Sequence, residues 1–243
     1  MGSEIRIPRI DSIRFDEICF GHEGQYALLR NVTFDFPVDT VCWIKSPEGE
    51  GKSTLLQILA CLQFPQHGSY FLNDLNVSEM SFEEFLPYRL TIGYTFDYGG
   101  LLSNRTLREN LLLPLLYHKI VPEADARQRV DHVLTRFSLL KFANERPAHV
   151  PGRVRKLVCL LRALVIHPQM LLLDDPSVGL GQETAEEFVE FVHELRKDGI
   201  ARHVFVASYD ENFVSKFEHQ IIHIDEGQLW LQKTGGEKKA VNL

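Results

Sequence analysis

The chain has 243 residues, 44% of them hydrophobic, which is enough apolar material for a buried core in one large or two modest domains. Its formal net charge of −7 disfavours nucleic acid as a partner, because phosphate binding needs an excess of Lys and Arg. No apolar run reaches the ~20 residues that cross a bilayer, and residues 1–11 do not resemble a secretory signal. We therefore expect a cytoplasmic chain that is held at a membrane through another subunit.

The first half of the chain is predicted to be rich in strands. Apolar residues fall in three short segments bounded by turn residues, which favours strands over residues 13–20, 31–36 and 40–44. Leucines with helical spacing then follow a glycine-bearing loop and predict a helix over residues 52–62. Ser81 with Glu84 is a capping-box pattern, so a short helix is expected there, before a strand at 90–96.

The second half begins with a long helical stretch and returns to alternating strands and helices. Helical periodicity dominates residues 105–165 and is strongest over 124–139 and 155–166. The later elements are predicted at 170–173 (strand), 183–197 (helix, stopped by Gly199), 203–207 (strand), 211–217 (helix) and 220–231 (hairpin). This order predicts an α/β fold with a mostly parallel sheet and an antiparallel part at its start.

We predict a single domain. Its α/β core spans residues 13–96 and 168–231, and a helical subdomain of about residues 97–167 is inserted between the two core segments. Residues 235–243 are expected to form a frayed tail.

The strongest local signal is Ser-Pro-Glu-Gly-Glu-Gly-Lys-Ser-Thr at residues 46–54, between an apolar strand and a helix. Backbone N–H groups in such a loop cradle phosphate, Lys52 reaches the β- and γ-phosphate oxygens, and the Ser53 hydroxyl ligates Mg²⁺. The strict phosphate-loop pattern has a glycine where this chain has Ser46. The alternative interpretation is a polar turn that opens a helix.

A second signal lies far downstream, in Met-Leu-Leu-Leu-Asp-Asp-Pro at residues 170–176. An apolar strand that ends in acids is the arrangement that brings a carboxylate beside a loop-bound Mg²⁺. Two acids after a strand are also compatible with a simple turn. Together with Lys52 and Ser53, Asp174 and Asp175 favour the nucleotide site.

These motifs, in this order, resemble the ATP-binding subunits of ABC transporters over residues 13–231. The resemblance implies a P-loop NTPase fold of ABC type and a site for ATP and Mg²⁺. The implied nucleotide-binding residues are Ser46, Gly49, Glu50, Gly51, Lys52, Ser53, Thr54, His22 and Asp174. The implied metal ligands are Ser53, Asp174 and Asp97.

Several family positions carry other residues in this chain. His22 stands where an aromatic side chain usually stacks on adenine, or it is an ordinary turn histidine. Three positions of the hydrolytic machinery are replaced: the glutamine of the Q-loop by Asp97, the catalytic glutamate by Asp175 and the switch histidine by Tyr209. The D-loop aspartate is missing from residues 177–181, and Pro151, Gly152 and Arg153 occupy the signature that acts on the other subunit's ATP.

These departures predict that nucleotide binding and hydrolysis are separated. The groups that hold the β-phosphate and Mg²⁺ remain, whereas those that handle the attacking water and the γ-phosphate have changed. Pro151 offers neither a hydroxyl nor an N–H, and Asp175 is one methylene shorter than glutamate. Arg153 either contacts phosphate as a charge or is an ordinary solvated arginine. Hydrolysis is expected to be slow or absent.

The resemblance is closest to the branch that serves lipoprotein release, cell division and phospholipid transport, on the residues Leu101, Leu102, Thr106 and 109–116. It implies an integral-membrane permease as partner, and a homodimer or a heterodimer with another ABC ATPase subunit. Residues 111–116 and Tyr98 either line the groove for the permease or pack in the core. The alternative function is a regulatory or structural switch set by ATP occupancy. A small-molecule kinase is disfavoured, because it explains neither the helical insertion nor residues 174–181.

Overall fold

The computed structural model describes residues 7–21, 27–47, 49–96 and 100–232, together with the backbone of 238–239. The strands are β1 (Ile13–Phe20), β2 (Leu29–Asp35), β3 (Val41–Lys45), β4 (His67–Leu72), β5 (Leu75–Asn76), β6 (Ile92–Thr95), β7 (Met170–Asp174), β8 (His203–Ala207), β9 (His219–Asp225), β10 (Gln228–Gln232) and β11 (Lys238–Lys239). The helices are α1 (Lys52–Leu59), α2 (Phe82–Arg89), α3 (Leu107–Tyr117), α4 (Glu123–Arg136), α5 (Gly152–Leu164), α6 (Gln182–Lys197) and α7 (Glu211–Val214).

The central sheet has the order β11-β10-β9-β3-β8-β7-β6. Its strands β9, β3, β8, β7 and β6 run parallel, and β10 pairs antiparallel with β9. Parallel strands put their carboxyl ends on one edge of the sheet, so the loops after β3, β7 and β8 meet there. The predicted α/β class and the mostly parallel sheet are confirmed.

A smaller antiparallel sheet has the order β2-β1-β4-β5 and forms the expected antiparallel part. Strands β4 and β5 were absent from the sequence prediction. Gly68 in β4 has a φ of +85°, and a Cβ at this position would overlap the backbone carbonyl of Glu17 in β1. The glycine permits this close approach of two strands where their register shifts between Asp16 and Cys19.

Each face of the central sheet is covered by a different hydrophobic core. On β3, Val41 and Trp43 pack with side chains of α3, α4, α5 and α6. The alternate residues Cys42 and Ile44 pack with α1 and the antiparallel sheet. This alternation follows from the two-residue period of a strand, and it buries β3 on both sides.

The described residues between β6 and β7 contain helices and no strand. Their side chains share one core with α6 and the sheet, since Leu111 and Val158 lie in the same cluster as Phe188 and Val206. The bounds of the inserted helical subdomain therefore stay a prediction, because packing is continuous across them.

Several element ends differ from the sequence prediction. Helix α1 ends at Leu59 and not at residue 62, because Cys61 adopts a φ of +52° and the Leu62 N–H donates back to the Gln57 carbonyl. Helix α5 begins at Gly152, three residues earlier than predicted, and the helix after β8 ends at Val214. The predicted tail, residues 235–243, lies outside the described residues apart from the backbone of β11.

Candidate nucleotide site

Residues 46–51, of which 46–47 and 49–51 are described, connect the end of β3 to the start of α1 at Lys52, as the sequence predicts. Gly51 is the N-terminal cap of α1 with a φ of 89°, and its carbonyl accepts the N–H of Leu55 at 2.8 Å. Gly49 also has a positive φ, of 80°. Both conformations favour glycine, so the glycines let the loop turn tightly before the helix. The first N–H groups of a helix have no intrahelical acceptor, and here they lie at the edge where the parallel strands end.

Lys52 is the first residue of α1 and is only 7% exposed. Its ammonium lies 3.2 Å from the centre of the Tyr209 ring, within the range of a cation–π contact. Tyr209 follows β8 and is 55% exposed. The contact therefore joins the loop after β3 to the loop after β8.

Ser53 and Asp174 are brought together by the fold. The Ser53 hydroxyl donates to Asp174 Oδ1 at 2.9 Å, and Asp174 is the buried last residue of β7. Its backbone N–H donates to Thr95 Oγ1 at 3.1 Å, and the Thr95 hydroxyl donates to the Leu172 carbonyl at 3.3 Å. Thr95, on β6, thus fixes the end of β7, a role that sequence reasoning missed.

The Ser53 and Asp174 side chains fit a magnesium ion chemically. Hard cations take oxygen ligands, and a hydroxyl oxygen and a carboxylate oxygen already lie side by side here. The third predicted ligand, Asp97, lies outside the described residues, as does His22.

Asp175 follows β7 in a left-handed conformation with a φ of 40°. Its backbone N–H donates to the Ala207 carbonyl at 2.8 Å, which ties it to the end of β8. The next residues, 177–181, lead to α6, whose N-terminal cap is Gly181 with a φ of 80°. Asp175 is therefore held on the same edge as Lys52 and Ser53.

A cavity of about 220 Å³ lies at this edge. It is lined by Leu28, Ser46, Gly49, Glu50, Gly51, Lys52, Ser53, Thr54, Asp175 and Tyr209. Nine of these residues were predicted from the sequence, and Leu28 was not. Leu28 lies just before β2, and no motif marks it. Among the described lining residues, Glu50 and Asp175 are acidic and Lys52 is basic.

Pro151, Gly152 and Arg153 lie away from this cavity, exposed at the N-terminus of α5. The Pro151 carbonyl accepts the N–H groups of Val154 and Arg155, so the proline is compatible with the start of the helix. The guanidinium of Arg155 donates to the carbonyls of Pro147 and Val150. The predicted action of residues 151–153 on a second subunit stays a prediction.

A separate groove of about 480 Å³ runs between β6 and the helices α2, α3 and α5. Leu113, Pro114 and Tyr117 of α3 line it, together with Tyr94 and Phe96. Leu111, Leu112 and Leu115 are buried in the core instead. Core packing is thus shown for Leu111, Leu112 and Leu115, and the role of the groove residues in binding a permease stays a prediction. Tyr98 lies outside the described residues.

A glycine loop between a strand and a helix, with its lysine and serine beside an acid that ends a parallel strand, defines a P-loop nucleotide-binding protein. The described residues include no helix with both the length and the apolarity needed to span a bilayer.

Comparison with known proteins agrees with this class. The family model described as ABC transporter matches residues 29–178. The uncharacterized ABC transporter ATP-binding protein MJ0796 of Methanocaldococcus jannaschii is 30% identical over 213 residues, covering 86% of this chain and 89% of that protein. A dimeric structure of a post-hydrolysis state of the MJ0796 cassette, bound to ADP and Pi, matches with a TM-score of 0.81 and 26% identity, covering 93% of this chain and 100% of the other.

Two further relatives differ in length. The cell division ATP-binding protein FtsE of Escherichia coli is 27% identical over 89% of this chain and 96% of its own length. The macrolide export ATP-binding/permease protein MacB of Marinobacter nauticus is 30% identical over 82% of this chain. The chain spans 30–60% of the length of MacB and some other relatives that it matches. This chain belongs to the ABC transporter family, and its fold is that of the family's ATP-binding cassette.

Proposed function

We propose that this chain binds Mg·ATP as the nucleotide-binding subunit of a membrane transport complex and hydrolyses it slowly or not at all. The observation that carries the proposal is the arrangement of Lys52, Ser53 and Asp174 at one edge of the sheet. The loop and Lys52 would hold the phosphates, and Ser53 and Asp174 would hold Mg²⁺. Bound Mg²⁺ would supply charge neutralisation between the phosphate oxygens.

Slow hydrolysis is supported by two residues that line the cavity, Asp175 and Tyr209. Asp175 is shorter than the glutamate expected by resemblance, and its strained backbone is fixed to β8. Tyr209 brings a neutral ring where a histidine is expected, and this ring covers Lys52. Because phosphoryl transfer depends on positioning, a displacement of about 1 Å costs roughly 100-fold in rate.

The partner is proposed to be an integral-membrane permease docked on the cytoplasmic side of the membrane. The groove lined by Leu113, Pro114 and Tyr117 supports this, because its lining is mainly apolar and also carries the basic side chains Arg89, His118 and Arg162. The MJ0796 cassette forms a dimer, and MacB joins an ATP-binding part to a permease part. We propose a homodimer or a heterodimer with a second ABC subunit for this chain. We also propose a lipid or lipoprotein cargo, on the resemblance of Leu101, Leu102, Thr106 and residues 109–116 to the branch of the family that transports lipoproteins and phospholipids.

A second function is favoured by the contact between Lys52 and Tyr209. A site whose lysine is covered and whose hydrolytic groups are changed suits a switch in which ATP occupancy sets assembly. This switch would sit on a membrane scaffold without transport turnover.

Three measurements on protein purified from its native membrane test these proposals. Isothermal titration with Mg·ATP is expected to show binding, and the absence of heat at millimolar nucleotide would contradict it. Co-purification of a permease supports the transport role, whereas a scaffold protein alone supports the switch. Steady-state turnover below about 1 s⁻¹ is expected, and a faster rate would exclude both slow hydrolysis and the switch.

A further inference from the structure

The Tyr209 ring occupies a defined position over the phosphate-binding lysine. Its centre lies 3.2 Å from Lys52 Nζ, and both residues line the same cavity. The negative face of an aromatic ring attracts a cation, so the ring and a phosphate compete for the same ammonium. Tyr209 and a bound phosphate would therefore both contact the Lys52 ammonium.

The backbone that carries Tyr209 is held on both sides. The indole N–H of Trp43 donates to the Ser208 carbonyl at 3.0 Å. The N–H of Asp210 donates to the Ser208 hydroxyl at 3.1 Å, and the N–H of Glu211 donates to the Tyr209 carbonyl at 3.1 Å. Because the backbone is fixed and the side chain is 55% exposed, rotation of the ring is the simplest way to uncover Lys52.

The charges around the cavity add to this competition. Its described lining residues carry two negative groups, Glu50 and Asp175, and one positive group, Lys52. Asp175 follows β7 and Tyr209 follows β8, so both line the cavity from loops at the same edge of the sheet as the glycine loop. Lys52 reaches both the β- and the γ-phosphate, but the β-phosphate is also held by N–H groups of the loop, so a third phosphate depends more on Lys52 than a diphosphate does.

We propose that Tyr209 is a specificity-determining residue that lowers affinity for nucleoside triphosphate relative to diphosphate, because its ring competes with the terminal phosphate for Lys52. This inference rests on the proposed nucleotide-binding function. The ratio of triphosphate-bound to diphosphate-bound protein would then depend on the orientation of the Tyr209 ring. Trp43 acts as a positioning residue, because its indole holds the carbonyl of Ser208.

The test measures dissociation constants for Mg·ADP and for a hydrolysis-resistant Mg·ATP analogue in the full chain. Tyr209→Leu removes the ring, and Tyr209→Phe keeps it without the hydroxyl. Phe64→Leu is the matched control, because Phe64 is 59% exposed and does not line the cavity. In Tyr209→Leu we expect the analogue to bind about 3- to 30-fold more tightly, the equivalent of losing one cation–π contact, while ADP affinity changes less than about threefold.

The outcomes are distinct. Tyr209→Phe is expected to keep the wild-type ratio of the two constants, because it keeps the ring. Weaker analogue binding in both Tyr209 variants would overturn the inference, because it would show that the hydroxyl recognises the third phosphate. An unchanged ratio in Tyr209→Leu would also overturn it while leaving nucleotide binding intact. Failure of the wild type and all variants to bind either nucleotide would overturn the proposed function itself.

Discussion

The described lining of the cavity contains three charged residues, Lys52, Glu50 and Asp175, and they differ in solvent exposure. Lys52 is buried, whereas Glu50 is exposed and Asp175 is half-buried. A buried ammonium loses hydration that a phosphate oxygen restores, so Lys52 is the residue on which anion binding depends. The two carboxylates repel phosphate, so they favour a nucleotide whose charge is reduced by a bound divalent cation.

Lys52→Ala is expected to abolish detectable binding of Mg·ATP. The dissociation constant should rise at least about 100-fold, which corresponds to about 2.7 kcal/mol of charge-assisted hydrogen bonding. Isothermal titration measures this, with Lys197→Ala as control because Lys197 is exposed at the end of α6. Tight binding in Lys52→Ala would mean that the loop does not hold the phosphates.

Asp175→Glu is expected to raise the hydrolysis rate only slightly, and Asp175→Asn to change it little. The gain should stay well below the roughly 100-fold that a 1 Å displacement costs, because Asp97, Pro151 and Tyr209 remain. Steady-state release of phosphate measures both variants. A large gain in Asp175→Glu would show that this one carboxylate limits turnover.

The N-terminus of helix α3 is held by side-chain hydrogen bonds to the backbone. Thr106 and Glu109 form a capping box, and the buried Asn110 side chain binds the preceding loop. Its amide donates to the carbonyls of Leu102, Arg105 and Thr106, and its oxygen accepts the N–H of Leu102 at 2.7 Å. One side chain therefore satisfies several backbone groups and orients the helix whose other face lines the groove.

Asn110→Ala is expected to destabilise the fold by about 1–3 kcal/mol, because it leaves buried backbone groups without partners. Urea unfolding measures the change in free energy. Asn144→Ala is the control, since Asn144 is exposed. Equal stability of the two variants would mean that water replaces the hydrogen bonds of the Asn110 side chain.

The sequence predicted the elements that local pattern specifies. Strands 13–20 and 203–207 have the expected bounds, because buried apolar residues recur along them and turn residues flank them. Strand β4 was missed because its pairing with β1 depends on a close approach at Gly68 that only the fold reveals. Thr95 was missed for a similar reason, since its hydroxyl acts on a strand 79 residues further along the chain. The contact between Lys52 and Tyr209 likewise needs the sheet order to be known.

Across the whole molecule, His203 joins three distant segments. It is fully buried at the start of β8; its Nδ1 accepts the N–H of Asp39, and its Nε2–H donates to the Ile10 carbonyl, each at 2.9 Å. This pair of bonds requires the neutral ring, because protonation of Nδ1 would remove an acceptor. Burial lowers the pKa of His203 below the ordinary histidine value of about 6.5.

The free energy of unfolding is therefore expected to decrease as the pH is lowered below about 6.5. In that range the unfolded chain binds a proton at residue 203 that the folded chain does not bind. The free energy of unfolding stops decreasing once the pH is below the pKa of His203 in the folded chain. In His203→Gln the slope should be shallower by up to about 1.4 kcal/mol per pH unit. Urea unfolding between about pH 5 and about pH 8 measures the slope, and equal slopes in both proteins would contradict the assignment.

The order of strands at the centre of the sheet has a mechanical consequence. Strand β8 lies between β3 and β7, so it is hydrogen-bonded to the strand that leads into the glycine loop and to the strand that ends in Asp174. These two outer strands are about 10 Å apart, two strand spacings. The glycine loop and Asp174 are therefore attached to one hydrogen-bonded sheet, which holds them at a fixed spacing. A bound nucleotide can therefore act through side-chain rotation, such as that of Tyr209, or by moving the sheet as a rigid body against its neighbours.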